Sequence, residues 1–356
     1  MLQVNKAALK KIKIPLLITF LVIGFFAFQL LTPTEVVAQE SGIDYGKLQQ
    51  IAQKNMGMVG QVGEDAIGID PMEYLTTWNF NNLPEEERKK FYKETKRKDG
   101  SLLREYWFYA EDKEIEVAPG IFFPAWTYNG QVPGPTIRAT EGDLIKIYFE
   151  NRGTKPHSMH FHGFHPAGVD GATVDQLQLP GETFTYEFEA EPFGSHLYHC
   201  HSLPLTEHIH RGLYGTYIVD PKENTRPKPD KELVMVLNGF DVNFDGENEI
   251  YSVNTIAFYF VKNPIKVKQG ELVRIYLTNM LEFDQINSFH LHANFFDEYP
   301  TGTKLEPDFF TDTTIMGQGE RSILDIRFKF PGEYMFHAHK TEFAELGWMG
   351  FFEVEE

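Results

Sequence analysis

The sequence predicts an all-β chain of two tandem β-sandwich domains, preceded by a polar, partly helical extension. From about Leu102 onward, short runs rich in aromatic and β-branched residues alternate with turns such as Tyr128-Asn129-Gly130, which is typical of a β-sandwich. Segments of this region also recur later in the chain without gaps, which indicates that one domain occurs twice. A hydrophobic content of 42% and a charged content of 24% are those of a folded globular protein.

Residues 1–38 are predicted to be a targeting segment. Four lysines precede an apolar run from Pro15 to Leu31, and small residues follow at Val36-Val37-Ala38, as in a secretory signal peptide. The run is also just long enough for a membrane span, so the alternative is an uncleaved anchor with its lysines on the cytoplasmic side. In both cases we expect an exported protein, periplasmic or extracellular.

Residues 39–101 form the extension. Its charged stretch from Pro84 to Lys98 has an acidic start and a basic end, which favours a helix. We interpret it as a solvated helix, without chemistry of its own, in an extension that packs on the main body or on its neighbours. The net charge of −18 argues against a nucleic-acid partner, because neutralising phosphates needs a basic face.

An internal repeat defines the two β domains. The aligned segments are 142–151 with 270–279, and 181–201 with 319–339. We therefore place the first domain at 102–222 and the second at 223–356, with a Pro- and Lys-rich joint between them. The two domains are expected to share one fold.

Each domain contains two His-x-His pairs, and the pairs fall at equivalent places in the repeat. They are His160 with His162 and His199 with His201 in the first domain, and His290 with His292 and His337 with His339 in the second. On a strand, residues two apart point to the same face. Each pair therefore presents two imidazoles to one place, which indicates a metal site.

The first domain has a further set of candidate ligands around Cys200, the only cysteine of the chain: His157, Cys200, His208 and Leu213. A soft thiolate with two imidazoles and a weak axial group is typical of blue copper. Metal ligation would also explain a single unpaired thiol in an exported protein. The second domain has Asn287, Ala338, Phe343 and Trp348 in these places, so the set is lost there while the histidine pairs remain. We predict one mononuclear copper centre in the first domain and a second centre that uses both domains.

These motifs resemble the multicopper oxidases, specifically the two-domain, laccase-like class that has its type 1 copper in the first cupredoxin domain and is related to copper nitrite reductases. The stretch from Tyr128 to Ile137, YNGQVPGPTI, is similar to the first signature of that family. His157-Ser-Met-His160-Phe-His162-Gly163 is similar to its H-x-x-H-x-H-G motif. The resemblance implies two cupredoxin-like Greek-key β-sandwich domains.

The resemblance also implies a role for each ligand. His157, Cys200 and His208 would bind type 1 copper, with Leu213 at the axial position. Type 2 copper would be held by His160 and His290, and the type 3 pair by His162, His199, His201, His292, His337 and His339. This amounts to about four copper ions per protomer. Similar proteins are homotrimers with a cluster at each subunit interface, and we expect the same here.

The implied reaction is oxidation of a small reducing substrate, phenol-like or inorganic, coupled to reduction of O2 to water. The alternative is a copper nitrite reductase that produces nitric oxide, because the spacing from Cys200 to His208 is nearer to that of those enzymes. A nitrite reductase, however, needs no histidine after the type 1 cysteine, so His201 favours the oxidase. A blue electron carrier with a vestigial cluster is the third possibility.

Asp170 precedes Gly171 in a segment that resembles the family's Asp-Gly element, and we predict that it delivers protons near the type 2 copper. A plain turn aspartate is the alternative. Glu342 is a weaker candidate for the same task.

Residues 241–249 space oxygen ligands like the start of a calcium loop, but Ser252 stands where such a loop needs its glutamate, so we favour a polar hairpin loop. Three remaining histidines are not predicted to be ligands: His165 lining a channel, His196 on the opposite strand face, and His210 at the rim of the site.

Overall fold

The computed structural model describes residues 85–284 and 286–356, and within these ranges strands dominate. The first domain contains β1 (Tyr92–Lys96), β2 (Leu102–Ala118), β3 (Ile121–Tyr128), β4 (Gly134–Thr140), β5 (Leu144–Asn151), β6 (His160–Phe161), β7 (Thr183–Glu189), β8 (Gly194–His199) and β9 (Tyr214–Asp220). The second contains β10 (Lys231–Phe240), β11 (Ile250–Val253), β12 (Ile265–Lys268), β13 (Leu272–Asn279), β14 (Ile286–Leu291), β15 (Phe296–Pro300), β16 (Phe309–Thr311), β17 (Thr313–Gly317), β18 (Arg321–Arg327), β19 (Gly332–His337) and β20 (Met349–Glu355). The short helices are α1 (Glu85–Phe91), α2 (Leu205–His210), α3 (Tyr259–Lys262) and α4 (Thr341–Glu345).

Each domain is a sandwich of two mixed sheets. In the first domain the sheets run β1-β2-β5-β7, with β3 on β2, and β4-β9-β8-β6. In the second they run β11-β10-β13-β18-β15-β16 and β12-β20-β19-β14-β17. The predicted all-β, cupredoxin-like fold is confirmed.

The internal repeat is visible in the strand pairing. The parallel pair β2 and β5 corresponds to β10 and β13, and the parallel pair β4 and β9 corresponds to β12 and β20. The antiparallel pair β8 and β9, which leads into the cysteine loop, corresponds to β19 and β20. Equivalent segments of sequence therefore occupy equivalent places in the two sandwiches.

The prediction of one helix over the charged stretch is only half right. Helix α1 ends at Phe91, and the following residues form β1, which pairs antiparallel with the start of β2. Tyr92 lies opposite Tyr106, both rings are buried, and their centroids are 4.9 Å apart. Burial of this aromatic pair favours the strand, because a continued helix would carry Tyr92 away from the core.

The two domains pack on each other through a shared apolar cluster that includes Ile209 and Tyr214 from the first and Phe240 and Tyr299 from the second. Backbone hydrogen bonds also cross this boundary; the Ser195 amide, for example, donates to the carbonyl oxygen of Thr301 at 2.8 Å. The second domain is thereby fixed against helix α2.

The predicted targeting segment and most of the extension lie outside the described residues. Within the part of the chain that the structure describes, no helix has the length and apolar character needed to span a bilayer.

Candidate metal centres

Three of the four predicted type 1 residues bring their donor atoms together in the core of the first domain. Cys200 directly follows β8, His208 lies on α2, and His157 lies in a bridge to Gln178. The Cys200 Sγ atom is 3.2 Å from Nδ1 of His208 and 3.9 Å from Nδ1 of His157. The two Nδ1 atoms are 3.2 Å apart. Leu213 is buried beside them, and its carbonyl oxygen accepts the Cys200 amide at 2.9 Å.

The electrostatics of this cluster suit a soft cation. Burial lowers the pKa of His157 to about 3 and that of His208 to about 4, so both imidazoles are neutral with free lone pairs at pH 7. Burial raises the pKa of Cys200, so the thiolate needs a compensating positive charge. One soft sulfur and two converging imidazole nitrogens are a donor set that copper fits.

The same place in the second domain holds Ala338, Phe343 and Trp348, and the Trp348 indole donates to the Asn287 side-chain oxygen at 3.1 Å. The amide of Cys200 donates to Leu213, and correspondingly the amide of Ala338 donates to the carbonyl oxygen of Trp348 at 3.2 Å. The Trp348 amide donates to Phe343 at 2.9 Å, as Leu213 does to His208 at 3.3 Å. Backbone geometry thus matches the alignment made from sequence.

The four paired histidines of the first domain form one group. His160 and His199 are direct partners across β6 and β8. Nε2 of His162 is 3.3 Å from Nε2 of His199, and the His160 and His201 rings are 5.2 Å apart. His199 donates from Nδ1 to the carbonyl oxygen of Cys200 at 2.9 Å, which leaves its Nε2 lone pair for a metal.

The second domain repeats this arrangement. His290 and His337 are direct partners across β14 and β19. Nε2 of His292 is 2.9 Å from Nε2 of His337, and the His290 and His339 rings are 5.1 Å apart. His337 donates from Nδ1 to the carbonyl oxygen of Ala338 at 2.6 Å. Among the described residues, each potential metal-binding group of three or more side chains draws its histidines from a single domain. We call the two four-histidine groups half-site 1 and half-site 2.

Asp170 lies beside half-site 1. His160 Nδ1 is 2.9 Å from the Asp170 carbonyl oxygen and 3.1 Å from its Oδ1. Gly171 has a φ of +74°, and a Cβ there would lie 2.0 Å from the Met159 carbonyl oxygen. Both interpretations of Asp170 therefore describe the geometry: a turn that requires glycine holds the carboxylate next to a predicted ligand. Glu342, by contrast, is exposed on α4, with Lys340 at 3.8 Å.

The predicted rim position of His210 is wrong, since this residue is buried between the domains, where its Nε2 accepts the Asp241 amide at 3.0 Å. His165 has its Nε2 2.8 Å from the Phe161 carbonyl oxygen and 3.5 Å from Asp170 Oδ1. His196 is buried, with Nε2 2.8 Å from the Pro192 carbonyl oxygen.

Copper-free protein should lose stability in acid partly through His196. Burial lowers the pKa of His196 from 6.5 to about 4, so between these values the unfolded chain binds a proton that the folded chain excludes. Stability then falls as the pH drops through this window, by up to about 3 kcal/mol from this group. Urea unfolding at pH 7 and pH 5 checks this. The loss should be smaller in His196→Gln, and an equal loss in both proteins would contradict the assignment.

Two serines near the half-sites have a role that was not predicted from the sequence. The Ser158 hydroxyl accepts the amide of His201 at 3.2 Å, and the Ser288 hydroxyl accepts the amide of His339 at 2.8 Å. The Ser158 amide also points at Cys200 Sγ, 3.4 Å away. Their positions could have predicted this role, because each serine stands two residues before a histidine pair at equivalent places of the repeat.

Asp312 and Thr313, which were also not predicted from the sequence, support half-site 2. His290 Nδ1 is 3.0 Å from the carbonyl oxygen of Asp312 and 2.8 Å from Thr313 Oγ1. Thr313 in turn donates to Asp312 Oδ1 at 3.0 Å. His160 and His290 are thus both held through Nδ1 with Nε2 free, although different side chains hold them.

In the calcium-like loop, the carboxylates of Asp241 and Glu249 accept hydrogen bonds from other groups of the same loop. Asp241 accepts amides from the residues that follow it, and Glu249 accepts the Val242 amide at 2.8 Å and the Asn243 side chain at 2.7 Å. Burial raises the pKa of Glu249 to about 7. Ser252 lies on β11 and donates to the Asn238 side chain at 2.7 Å. These contacts are those of a polar loop between strands.

Comparison with known proteins identifies the family. Two multicopper oxidase domain models match residues 110–224 and 224–356. A crystal structure of a multicopper oxidase has 52% sequence identity and a TM-score of 0.78, covering 83% of this chain and 100% of that one.

Curated relatives include enzymes with two different reactions. A copper-containing nitrite reductase of Neisseria meningitidis serogroup A is 32% identical over 248 residues, covering 64% of this chain and 63% of the relative. An L-ascorbate oxidase of Cucumis sativus is 38% identical over 143 residues, covering 38% of this chain and 22% of the relative. The chain thus spans slightly less than two thirds of the nitrite reductase it matches. The two domain matches, the copper-type donor set and the cupredoxin-like fold together show that the chain belongs to the multicopper oxidase family.

Proposed function

We propose that the chain is a laccase-like oxidase that couples one-electron oxidation of a small reducing substrate to four-electron reduction of O2 to water. The observation that carries this proposal is the position of His201 and His339. Each closes its half-site, with its ring 5.2 Å and 5.1 Å from His160 and His290, respectively. Eight imidazoles in two matched groups exceed what one mononuclear type 2 copper can use.

Copper supplies one-electron redox chemistry when bound. His157, Cys200 and His208 would hold the type 1 ion, with the buried Leu213 beside them. The half-sites would hold the other three, through His160 and His290 for type 2 and through His162, His199, His201, His292, His337 and His339 for the type 3 pair. The free Nε2 atoms of the anchored histidines suit this assignment.

The chain itself connects the two kinds of site. Cys200 is joined by peptide bonds to His199 and His201, so the thiolate and two half-site imidazoles lie on one short covalent path. Ser158 adds a second link, because its amide points at Cys200 Sγ and its hydroxyl accepts the His201 amide. Asp170 would hold a proton at Oδ1, beside His160.

Nitrite reduction is the second candidate, and it is favoured by the 32% identity to a nitrite reductase. It gives no reason for the retention of His201 and His339. The two candidates also differ in the number of copper ions that each chain needs, which makes them easy to separate.

Copper analysis and oxygen uptake test the proposal together. Fully loaded protein should contain about four copper ions per chain, and an oxygen electrode should record uptake in the presence of a reducing donor. About two ions per chain, with nitrite-dependent formation of nitric oxide, would instead support the reductase. The nitrite assay on the same sample serves as the control.

We also propose that three chains assemble so that half-site 1 of one chain meets half-site 2 of the next. Each half-site draws on one domain alone, and an exposed phenylalanine stands close in sequence to a residue of each. Phe164 follows His162 by two residues and is 65% exposed, whereas Phe310, two residues before Asp312, is 71% exposed. Such patches favour a protein interface.

Light scattering should therefore give the mass of three chains for the wild type. Phe310→Asp places a charge in the proposed interface, so we expect single chains that keep the blue type 1 band and lose oxygen uptake. Phe330→Asp is the matched control, because Phe330 is also an exposed phenylalanine, at 60%, but belongs to the loop between β18 and β19. A wild type with the mass of one chain would refute the assembly.

A further inference from the structure

The loop at 241–249 belongs to the second domain but lies against the helix that carries His208. The Asp241 amide donates to Nε2 of His210, two residues after His208 on α2, at 3.0 Å. The His210 ring contacts Phe123 and Phe283, with centroids 5.1 Å and 4.9 Å away. The loop is therefore fixed to the electron-entry side of the first domain.

The inner hydrogen bonds of this loop present one aromatic side chain to solvent. Asp241 accepts the amides of Phe244, Asp245 and Gly246. Phe244 is held at a φ of +65°, a left-handed conformation that is rare for a bulky residue and costs free energy. Its ring packs against Phe123 and His210, with centroids 5.8 Å and 5.9 Å away, but the residue remains 49% exposed. A strained backbone and an exposed aromatic ring both lower the stability of the fold, which points to a functional role for Phe244.

A continuous line of side chains leads from Phe244 to the type 1 residues. The Arg211 guanidinium lies 4.6 Å from the centre of the Phe244 ring and 5.3 Å from that of Trp126. Trp126 contacts the His208 ring at 4.7 Å. Since His157, Cys200 and His208 are all buried, a donor can reach them only by docking on such an outer surface.

The charges around Phe244 restrict the donor. Asp245 and Glu247 are exposed on the same loop, and Glu207 lies 3.6 Å from Arg211. Carboxylates thus outnumber the one guanidinium at this place. An anionic donor would be repelled here, whereas an uncharged aromatic ring can stack on Phe244.

We propose that Phe244, with Arg211 behind it, forms the docking surface for a planar aromatic donor without negative charge and so determines donor specificity. This inference rests on the proposed oxidase function. A phenol docked there gives one electron to the type 1 site and its hydroxyl proton to water, and becomes a phenoxyl radical. Four such electrons and four protons convert one O2 into two waters.

Donor kinetics of Phe244→Leu and Phe244→Tyr test the surface. With guaiacol, the Leu variant should have a KM raised about twofold to tenfold, with kcat little changed, because aromatic stacking is lost. The Tyr variant should behave like the wild type, and ferrocyanide oxidation should be unchanged in both. Phe330→Leu is the control. An unchanged guaiacol KM in Phe244→Leu, or an equal loss with ferrocyanide, would overturn the proposal.

Binding of veratrole, a methoxybenzene with no phenolic proton, separates docking from turnover. Saturation-transfer NMR should detect veratrole on the wild type and on Phe330→Leu, and a clearly weaker signal on Phe244→Leu. Equal signals in all three proteins would overturn the docking surface. If no donor supports oxygen uptake, the oxidase function is refuted instead. The veratrole result would still show whether Phe244 forms a docking surface.

Discussion

Cys200→Ser should abolish the blue absorption band and all donor oxidation while the protein stays folded. The Cys200 Sγ atom lies 3.9 Å from Nδ1 of His157 and 3.2 Å from Nδ1 of His208, and a serine hydroxyl cannot replace a soft thiolate as a copper ligand. The fold should survive because serine is close in size to cysteine. Its hydroxyl oxygen would also accept the Ser158 amide, now 3.4 Å from Sγ, so this buried amide keeps its acceptor.

Absorption spectra, donor-dependent oxygen uptake and thermal unfolding measure the three parts of this prediction. Ala338→Ser provides the matched control, since Ala338 occupies the same place in the second domain and its amide makes the equivalent hydrogen bond. That variant should keep the band and the activity. A Cys200→Ser protein that fails to fold would mean that the thiol is a core residue rather than a ligand.

The internal repeat explains why so much of the fold was predictable. Two copies of a pattern constrain each other, and strands β5 and β13 fall on the aligned segments. The half-sites follow from His-x-His spacing, because period-two geometry is local. The loss of the type 1 ligands in the second domain could likewise be predicted by comparing Cys200 with Ala338.

Features that depend on distant contacts were not predictable. Strand β1 forms because Tyr92 meets Tyr106, although most of the residues of β1 are charged. His210 is buried because the second domain covers it, and nothing in its neighbouring residues indicates this. In each case tertiary packing overrides a local pattern.

The two halves of the candidate cluster differ in how their carboxylates are placed. In half-site 1 the Asp170 carboxylate lies directly against His160, 3.1 Å from Nδ1. In half-site 2 the Asp312 carboxylate contacts Thr313, and it is the threonine hydroxyl that meets His290. A side chain that delivers protons must be close to the reacting group, so the direct carboxylate of Asp170 is the better candidate.

Asp170→Asn should slow oxygen reduction by about a hundredfold to ten-thousandfold, the usual contribution of a positioned acid. The variant should keep the blue band, because Asp170 contacts none of the type 1 residues. It should also keep His160 in place, since the backbone carbonyl oxygen of residue 170 still lies 2.9 Å from Nδ1. What the amide removes is the ability to hold and release a proton at Oδ1.

Stopped-flow mixing of anaerobically reduced protein with O2 measures this step as the return of the blue band. Asp312→Asn is the matched control, because its backbone carbonyl oxygen holds His290 at 3.0 Å in the same way while its carboxylate contacts no imidazole among the described residues. We expect slow reoxidation in Asp170→Asn and near wild-type reoxidation in Asp312→Asn. Equal rates in both variants would show that proximity to His160 gives Asp170 no special role, and the turn interpretation would then account for it fully.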